Sequence, residues 1–224
     1  MVWLTYITMV SLREFGELET WIKFYTRFHT DGTMLSLQSK VTIANGVEIP
    51  RLGLGVYQTR PGRTMRRAVK YALSIGYRHV DTASLYGNEE DVGIALRESG
   101  LGRDEVFITT KVWNTEQGYD STLRACEDSL RRLGFTYVDL YLIHWPVATL
   151  SHERWRAMVQ LYRESKALAI GLSSYDIQDF VAIRVALSLI PKWYQGLSNP
   201  DNWCFSDVSP NDISSIYIRN TKQS

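Results

Sequence analysis

Apolar and polar positions alternate along most of this chain in a pattern that predicts strands followed by helices. Apolar or β-branched runs predict strands at 52–56, 78–83, 105–113, 137–145 and 167–173. Amphipathic segments between them predict helices at 64–74, 89–99, 120–133 and 152–165. Such alternation is typical of βαβ units and a parallel sheet buried on both faces. The periodicity leaves open whether the sheet closes into a barrel.

The first 33 residues do not follow this pattern. Their opening run, MVWLTYITMVSL, is apolar but only about half as long as a bilayer span, and no basic residue precedes it. We therefore expect neither a secretory signal nor a membrane anchor. From Met34, a second candidate start, the stretch VTIANGVEIP predicts a β-hairpin with Asn45-Gly46 as its turn. The chain is accordingly divided into an atypical extension, 1–33, and a domain, 34–224.

Composition and charge exclude several classes of partner. The 224 residues are 45% hydrophobic and 22% charged, which is typical of a soluble globular protein. A formal net charge of +1 gives no electrostatic reason to expect nucleic acid or an anionic membrane as a partner. The two cysteines, Cys126 and Cys204, predict neither a disulfide framework nor a metal site, and the four histidines lack ligand spacing. We expect a reducing, cytoplasmic compartment and no metal.

Polar side chains collect where the predicted strands end. Asp81, Lys111, His144 and Ser173 close successive strands, and Tyr86 lies in the loop after the first of these. The carboxyl ends of parallel strands share one edge of a sheet, so these groups are expected to lie together.

This combination has a chemical use. A buried Lys111 would favour the phenolate of Tyr86 and lower its pKa from about 10. Asp81 would hold the lysine charged, and a neutral His144 would donate a hydrogen bond to a carbonyl oxygen. Each residue alone also has a structural interpretation: a helix cap, a loop aromatic, a solvated strand end and a core histidine. Their shared position at successive strand ends favours a site.

Five segments, in order and spacing, resemble the motifs of the aldo-keto reductase superfamily: LGLGVYQT, GYRHVDTASLYGNEEDVG, ITTKVWN, YVDLYLIHWP and AIGLSSY. The resemblance spans 41–175 and is nearest to microbial or protozoan members of the prostaglandin F synthase-like or diketogluconate reductase-like branch. It implies a (β/α)8 TIM barrel with an NADPH site at its C-terminal face.

The resemblance also implies roles for individual residues. Asp81, Tyr86, Lys111 and His144 match the catalytic tetrad, with Tyr86 as the proton donor. The positions that match the substrate pocket are His144, Trp113 and Tyr57. The positions that match the cofactor site are Asp81, Ser173, Lys192 and Asn202.

The chain departs from the family pattern after Tyr175. The tail from Ile190 resembles the family's final segment, but strands six and seven have no counterpart, and 176–192 must bridge the gap. We therefore expect an incomplete barrel of five to six βα units, divided into 34–175 and a divergent 176–224. Ser174 and Ser198 also replace an Asn and an Arg that the family uses to grip the cofactor.

Two functions follow from these observations. The first is an NADPH-dependent reductase of aldehydes or ketones, in which hydride transfer is paired with proton donation by Tyr86. The alternative is a catalytically inactive, truncated aldo-keto reductase-like protein that acts as a binding partner or has no function.

Missing barrel strands have a physical consequence. We expect open strand edges at AIGLS and LGLGV, and inner strand faces exposed to water, with 185–191 covering one edge at most. Self-association, marginal stability and little protection by NADPH are the predicted results.

Overall fold

The computed structural model describes residues 8–11, 36–43, 46–147 and 151–174, with the backbone alone for 8–11 and 151–152. Its strands are β1 (Thr8–Ser11), β2 (Lys40–Thr42), β3 (Glu48–Pro50), β4 (Leu52–Gly55), β5 (His79–Asp81), β6 (Phe107–Val112), β7 (Val138–Ile143) and β8 (Ala167–Leu172). Its α-helices are α1 (Arg63–Ser74), α2 (Glu89–Ser99), α3 (Tyr119–Leu133) and α4 (Ser151–Arg163). Short 3-10 helices lie at Ser84–Tyr86, Arg103–Glu105 and Asn114–Glu116.

The main sheet is parallel, in the order β1-β4-β5-β6-β7-β8. From β4 onward, each strand pairs with the next one along the chain, and α1 to α4 supply the crossovers. This arrangement confirms the predicted βαβ units. The described residues form an incomplete α/β barrel.

The helices bury their apolar residues and pack closely against one another. In α1 the apolar residues Met65, Val69, Ala72 and Leu73 are buried, as their helical spacing predicts. Helices α2 and α3 approach so closely that a Cβ at Gly93 would lie 1.9 Å from the carbonyl oxygen of Leu133. Arg97 donates to the same oxygen at 2.7 Å, which fixes this crossing.

A hairpin closes the inside of the sheet at one end. β2 and β3 pair antiparallel as predicted, and Gly46 has a φ of 84°; Asn45 lies outside the described residues. Val41 and Ile49 pack with Phe107 at the start of β6 and with Leu140 and Leu142 of β7. The hairpin therefore shields these inward-facing side chains of β6 and β7 from water.

Two expectations about open surfaces are wrong. The inner strand faces are not exposed, because Leu142 of β7 and Ala169 of β8 are only 1% and 2% exposed. The edge of LGLGV is not open either, since β1 pairs with all four residues of β4, from Thr8 opposite Leu52 to Ser11 opposite Gly55. The extension thus contributes a strand to the sheet. The division at residue 34 stays a prediction.

At the other edge, β8 pairs with β7 in the described part of the chain, and 185–191 lies outside it. None of the helices within the described ranges combines the length and apolar character that a bilayer span requires.

The pairing of β1 predicts that the extension protects the edge of β4 from self-association. Replacing Met9 and Val10 together by Pro removes two backbone donors from β1, so β4 is expected to lose its partner and the chain to dimerise or aggregate. Size-exclusion chromatography with light scattering measures this. The matched control changes both residues to Ala, which keeps the N–H groups. Equal behaviour of the two variants would contradict the role. If the Ala control also self-associates, the free edge of β8 is instead the proposed site at which two chains pair.

Candidate active site

Four polar residues meet at the carboxyl ends of adjacent strands, as predicted. Asp81 is the last residue of β5, and Lys111 is the next to last of β6. His144 and Ser173 directly follow β7 and β8. Tyr86 ends a 3-10 helix in the loop after β5, and the chain turns at Gly87, whose φ is 66°. This turn directs the chain into α2.

A buried ion pair lies at the centre. Lys111 Nζ is 2.5 Å from Asp81 Oδ1 and donates to the carbonyl oxygen of Thr82 at 3.0 Å. Both side chains are almost fully buried. Burial by itself lowers the pKa of Lys111, but the charge of Asp81 and the interaction with Tyr86 outweigh it, so the net shift is upward. Burial raises the pKa of Asp81, and Lys111 opposes that shift. Lys111 is therefore charged at neutral pH.

Tyr86 lies between this pair and His144. Its Oη is 3.4 Å from Lys111 Nζ and 3.4 Å from His144 Nε2. The expectation of a lowered Tyr86 pKa is wrong: burial raises the pKa above 10, and Lys111 lowers it by less. The phenol is consequently protonated at neutral pH, which is the form that a proton donor requires.

His144 is held in its neutral form, as expected. Burial, followed by the charge of Lys111, lowers its pKa to about 3. Its Nε2 faces Tyr86, with the tautomer deciding which atom donates, and its Nδ1 has no hydrogen-bond partner among the described residues. A neutral imidazole in this position can polarise a carbonyl oxygen without carrying charge.

Aromatic rings lie next to Tyr86 and His144. The ring of Tyr57 lies 5.0 Å from that of Tyr86, and the ring of Trp113 lies 5.1 Å from that of His144, edge to face. The structure thus brings both predicted substrate-lining residues to the tetrad. An apolar wall with two hydrogen-bonding groups suits a small carbonyl compound.

The predicted cofactor residues are only partly described. Ser173 is buried, its backbone N–H donates to the carbonyl oxygen of Ile143 at 2.8 Å, and its Oγ is 3.4 Å from that of Ser174. Asp81 Oδ2 is buried without a hydrogen-bond partner in the described ranges. These groups fit the amide end of a nicotinamide, because a buried amide needs hydrogen-bond partners. Lys192 and Asn202 lie outside the described residues.

Sequence reasoning missed a polar network behind the site. Gln117 donates to Asn114 Oδ1 at 2.9 Å and to the carbonyl oxygen of Trp145 at 3.0 Å. Arg154, buried at 2% exposure, donates to Gln117 Oε1 and to the carbonyl oxygen of Val147. The network joins the loops that carry Trp113 and His144. No sequence signal links Gln117 with Trp145 and Arg154, because they are far apart along the chain.

Two buried histidines predict a loss of stability in acid. Burial lowers the pKa of both His79 and His144 to about 3 from an ordinary 6.5, so below pH 6.5 the unfolded chain binds protons that the folded chain does not. The free energy of unfolding should fall as pH drops from 6.5 toward 3, by up to about 1.4 kcal/mol per pH unit per histidine. Asp81, whose pKa is raised, offsets part of this below its folded pKa.

Urea unfolding at several pH values tests the histidine effect. The His79→Gln and His144→Gln variants should each show a shallower dependence on pH between 6.5 and 3 than the unaltered chain. An unchanged slope in both variants would contradict the assignment.

Comparison with known proteins finds a matching family model and several similar proteins. The model of the aldo/keto reductase family matches residues 51–201. Relatives include the uncharacterized oxidoreductase YtbE of Bacillus subtilis, 48% identical over 69% of this chain and 57% of its own length. The glyoxal reductase of the same organism is 50% identical over 63% of this chain and 51% of its own length. The 9,11-endoperoxide prostaglandin H2 reductase of Trypanosoma cruzi is 50% identical over 61% and 48%. This chain thus spans about half the length of these relatives.

Solved structures agree with the sequence relatives. An aldo/keto reductase from Brucella melitensis superposes with a TM-score of 0.64 at 45% identity, covering 68% of this chain and 60% of that one. A mutant of Gox0644 in complex with NADPH superposes with a TM-score of 0.61 at 42% identity, covering 69% and 56%.

Proposed function

Because this chain belongs to the aldo/keto reductase family, we propose that it reduces an aldehyde or ketone to the alcohol, with NADPH as the hydride donor and Tyr86 as the proton donor. One observation carries the proposal: Tyr86 Oη lies 3.4 Å from both Lys111 Nζ and His144 Nε2. A hydroxyl between a buried cation and a neutral imidazole is suited to proton delivery.

The residues divide the reaction between them. Tyr86 and His144 hydrogen-bond the carbonyl oxygen and orient it. A reduced nicotinamide, when bound, supplies the hydride to the carbonyl carbon. As negative charge grows on the oxygen, Tyr86 gives up its proton to it, and an alcohol results. Lys111 stabilises the phenolate left behind, and Asp81 keeps Lys111 charged.

The cofactor assignment rests on the described end of the site. Ser173 and the unpartnered Oδ2 of Asp81 would hold the nicotinamide amide, while Lys192 and Asn202 remain sequence predictions for other parts of the cofactor. The NADPH complex of a structural relative supports this cofactor.

The substrate class follows from the walls of the site. Tyr57 and Trp113 favour a carbonyl compound with little charge, and the glyoxal and prostaglandin reductases among the relatives are consistent with this. A cytoplasmic location is proposed as well, since Cys126 is a free thiol, which suits a reducing compartment.

Steady-state turnover of the purified full chain tests the proposal. NADPH absorbance should fall in the presence of glyoxal, methylglyoxal or an aromatic aldehyde, with saturation in both reactants. Quenching of tryptophan fluorescence measures NADPH binding separately. NADPH binding without turnover of any carbonyl compound would support the inactive alternative, and failure to bind NADPH would overturn the cofactor assignment.

A further inference from the structure

Asn88 occupies a helix-capping position but does not cap its helix. It precedes the first residue of α2, where an Asn side chain normally accepts a hydrogen bond from a backbone N–H of the first turn. Here its side chain makes no such bond. The side chain hydrogen-bonds to other parts of the chain instead.

Those partners lie in the loop after β4 and at the start of the loop between β5 and α2, which Asn88 ends. Asn88 Nδ2 donates to the carbonyl oxygens of Val56 at 2.9 Å and Thr59 at 3.2 Å. Its Oδ1 accepts from Thr82 Oγ1 at 2.7 Å. The side chain is 1% exposed, and it uses both of its N–H donors and its oxygen. An amide is the group that offers this combination.

The same two loops carry Tyr57 and Tyr86 and contact Lys111. Tyr57, whose ring packs on that of Tyr86, lies between Val56 and Thr59. The carbonyl oxygen of Thr82 accepts a hydrogen bond from Lys111 Nζ at 3.0 Å. Tyr86 itself lies two residues before Asn88. One buried amide therefore connects the Tyr57 loop, the Lys111 partner and the Tyr86 loop.

We propose that Asn88 is a positioning residue, which sets the distance between Tyr86 Oη and Lys111 Nζ by holding the Tyr57 loop and Thr82 against the Tyr86 loop. The kinetic part of this inference rests on the proposed carbonyl reduction; the geometric part does not. A residue that only stabilised the loops would leave the surroundings of Tyr86 unchanged in any variant that still folds.

The main variant is Asn88→Ser, because serine can cap α2 but is too short to bridge the loops. The matched control is Glu89→Gln. Glu89 is the next residue, is equally buried, and binds Thr110 and Arg132 instead of the two loops. Thr82→Val removes one of the Asn88 contacts and serves if Asn88→Ser does not fold.

The geometric readout needs no turnover. The full chain is labelled with 3-fluorotyrosine, and the Tyr57 and Tyr86 fluorine resonances are assigned with Tyr57→Phe and Tyr86→Phe. Both resonances should move in Asn88→Ser, move less in Thr82→Val, and stay in place in Glu89→Gln. Unmoved Tyr57 and Tyr86 resonances in a folded Asn88→Ser would overturn the proposal, whether or not the chain reduces carbonyls.

The kinetic readout separates positioning from binding. In Asn88→Ser, kcat should fall about 10- to 100-fold with KM nearly unchanged, since a small misplacement of a proton donor affects the chemical step most. Glu89→Gln should keep its kcat. An unchanged kcat in Asn88→Ser would overturn the positioning role even if the resonances move. Absence of turnover in the unaltered chain would instead count against the proposed function, and the fluorine spectra would still decide the geometry.

Discussion

The Tyr86→Phe variant is expected to lose nearly all carbonyl reduction, with kcat lowered by about 10²- to 10⁴-fold, the usual contribution of a positioned general acid. The substitution removes the hydroxyl that contacts Lys111 and His144 and leaves the ring packed against Tyr57. The site therefore keeps its shape but has no proton to deliver. Single-turnover rates measured with saturating NADPH isolate this step.

Tyr57→Phe is the matched control for the loss of Tyr86. Tyr57 contacts Tyr86 through its ring, and the substitution keeps that ring. Removing the Tyr57 hydroxyl should therefore leave kcat within a few-fold of the unaltered chain. NADPH binding, measured by fluorescence, should be the same in all three proteins. Substantial turnover by Tyr86→Phe would rule out this residue as the proton donor.

The Lys111→Met variant should lose both stability and activity. The lysine side chain is 4% exposed, and its removal leaves Asp81 buried without its positive partner. Breaking a buried pair in this way costs about 3–5 kcal/mol of unfolding free energy. Activity should also fall by orders of magnitude, because nothing then offsets the burial that raises the Tyr86 pKa.

A double variant separates the two effects of Lys111. Asp81→Asn with Lys111→Met removes both charges, so it should recover much of the unfolding free energy that Lys111→Met alone loses. It should not recover turnover, since the cation beside Tyr86 is still missing. Urea unfolding and single-turnover rates on the three proteins give the comparison. Recovery of turnover would mean that Lys111 acts only through stability.

Some of this site was predictable because parallel strands follow a simple rule. Asp81, Lys111, His144 and Ser173 end consecutive strands, and consecutive strands pair in chain order, so their proximity follows from the pattern alone. The positions of Tyr57 and Trp113 came from the family resemblance, and the ring contacts agree with them.

Other features could not be predicted, since they depend on packing between distant segments. Thr8–Ser11 pairs with β4, which is available as a partner only once the sheet has formed. The apolar run around these residues has no regular pattern from which this pairing could be predicted. The sign of the Tyr86 pKa shift required the balance of burial against the Lys111 charge. The position of Asn88 before α2 is that of a helix cap, and only its contacts with Val56 and Thr59 show a different use.

The sequence by itself determined the alternation of strands and helices, the family and the set of ionisable groups at one end of the sheet. Hydrophobic periodicity and residue order are local properties of a chain, so they can be read without coordinates. The tertiary structure decided the protonation of Tyr86 and His144, the strand that covers β4 and the use of Asn88 as a bridge between loops. Desolvation and hydrogen bonding depend on which distant atoms come within a few ångströms, and only the fold brings those atoms together.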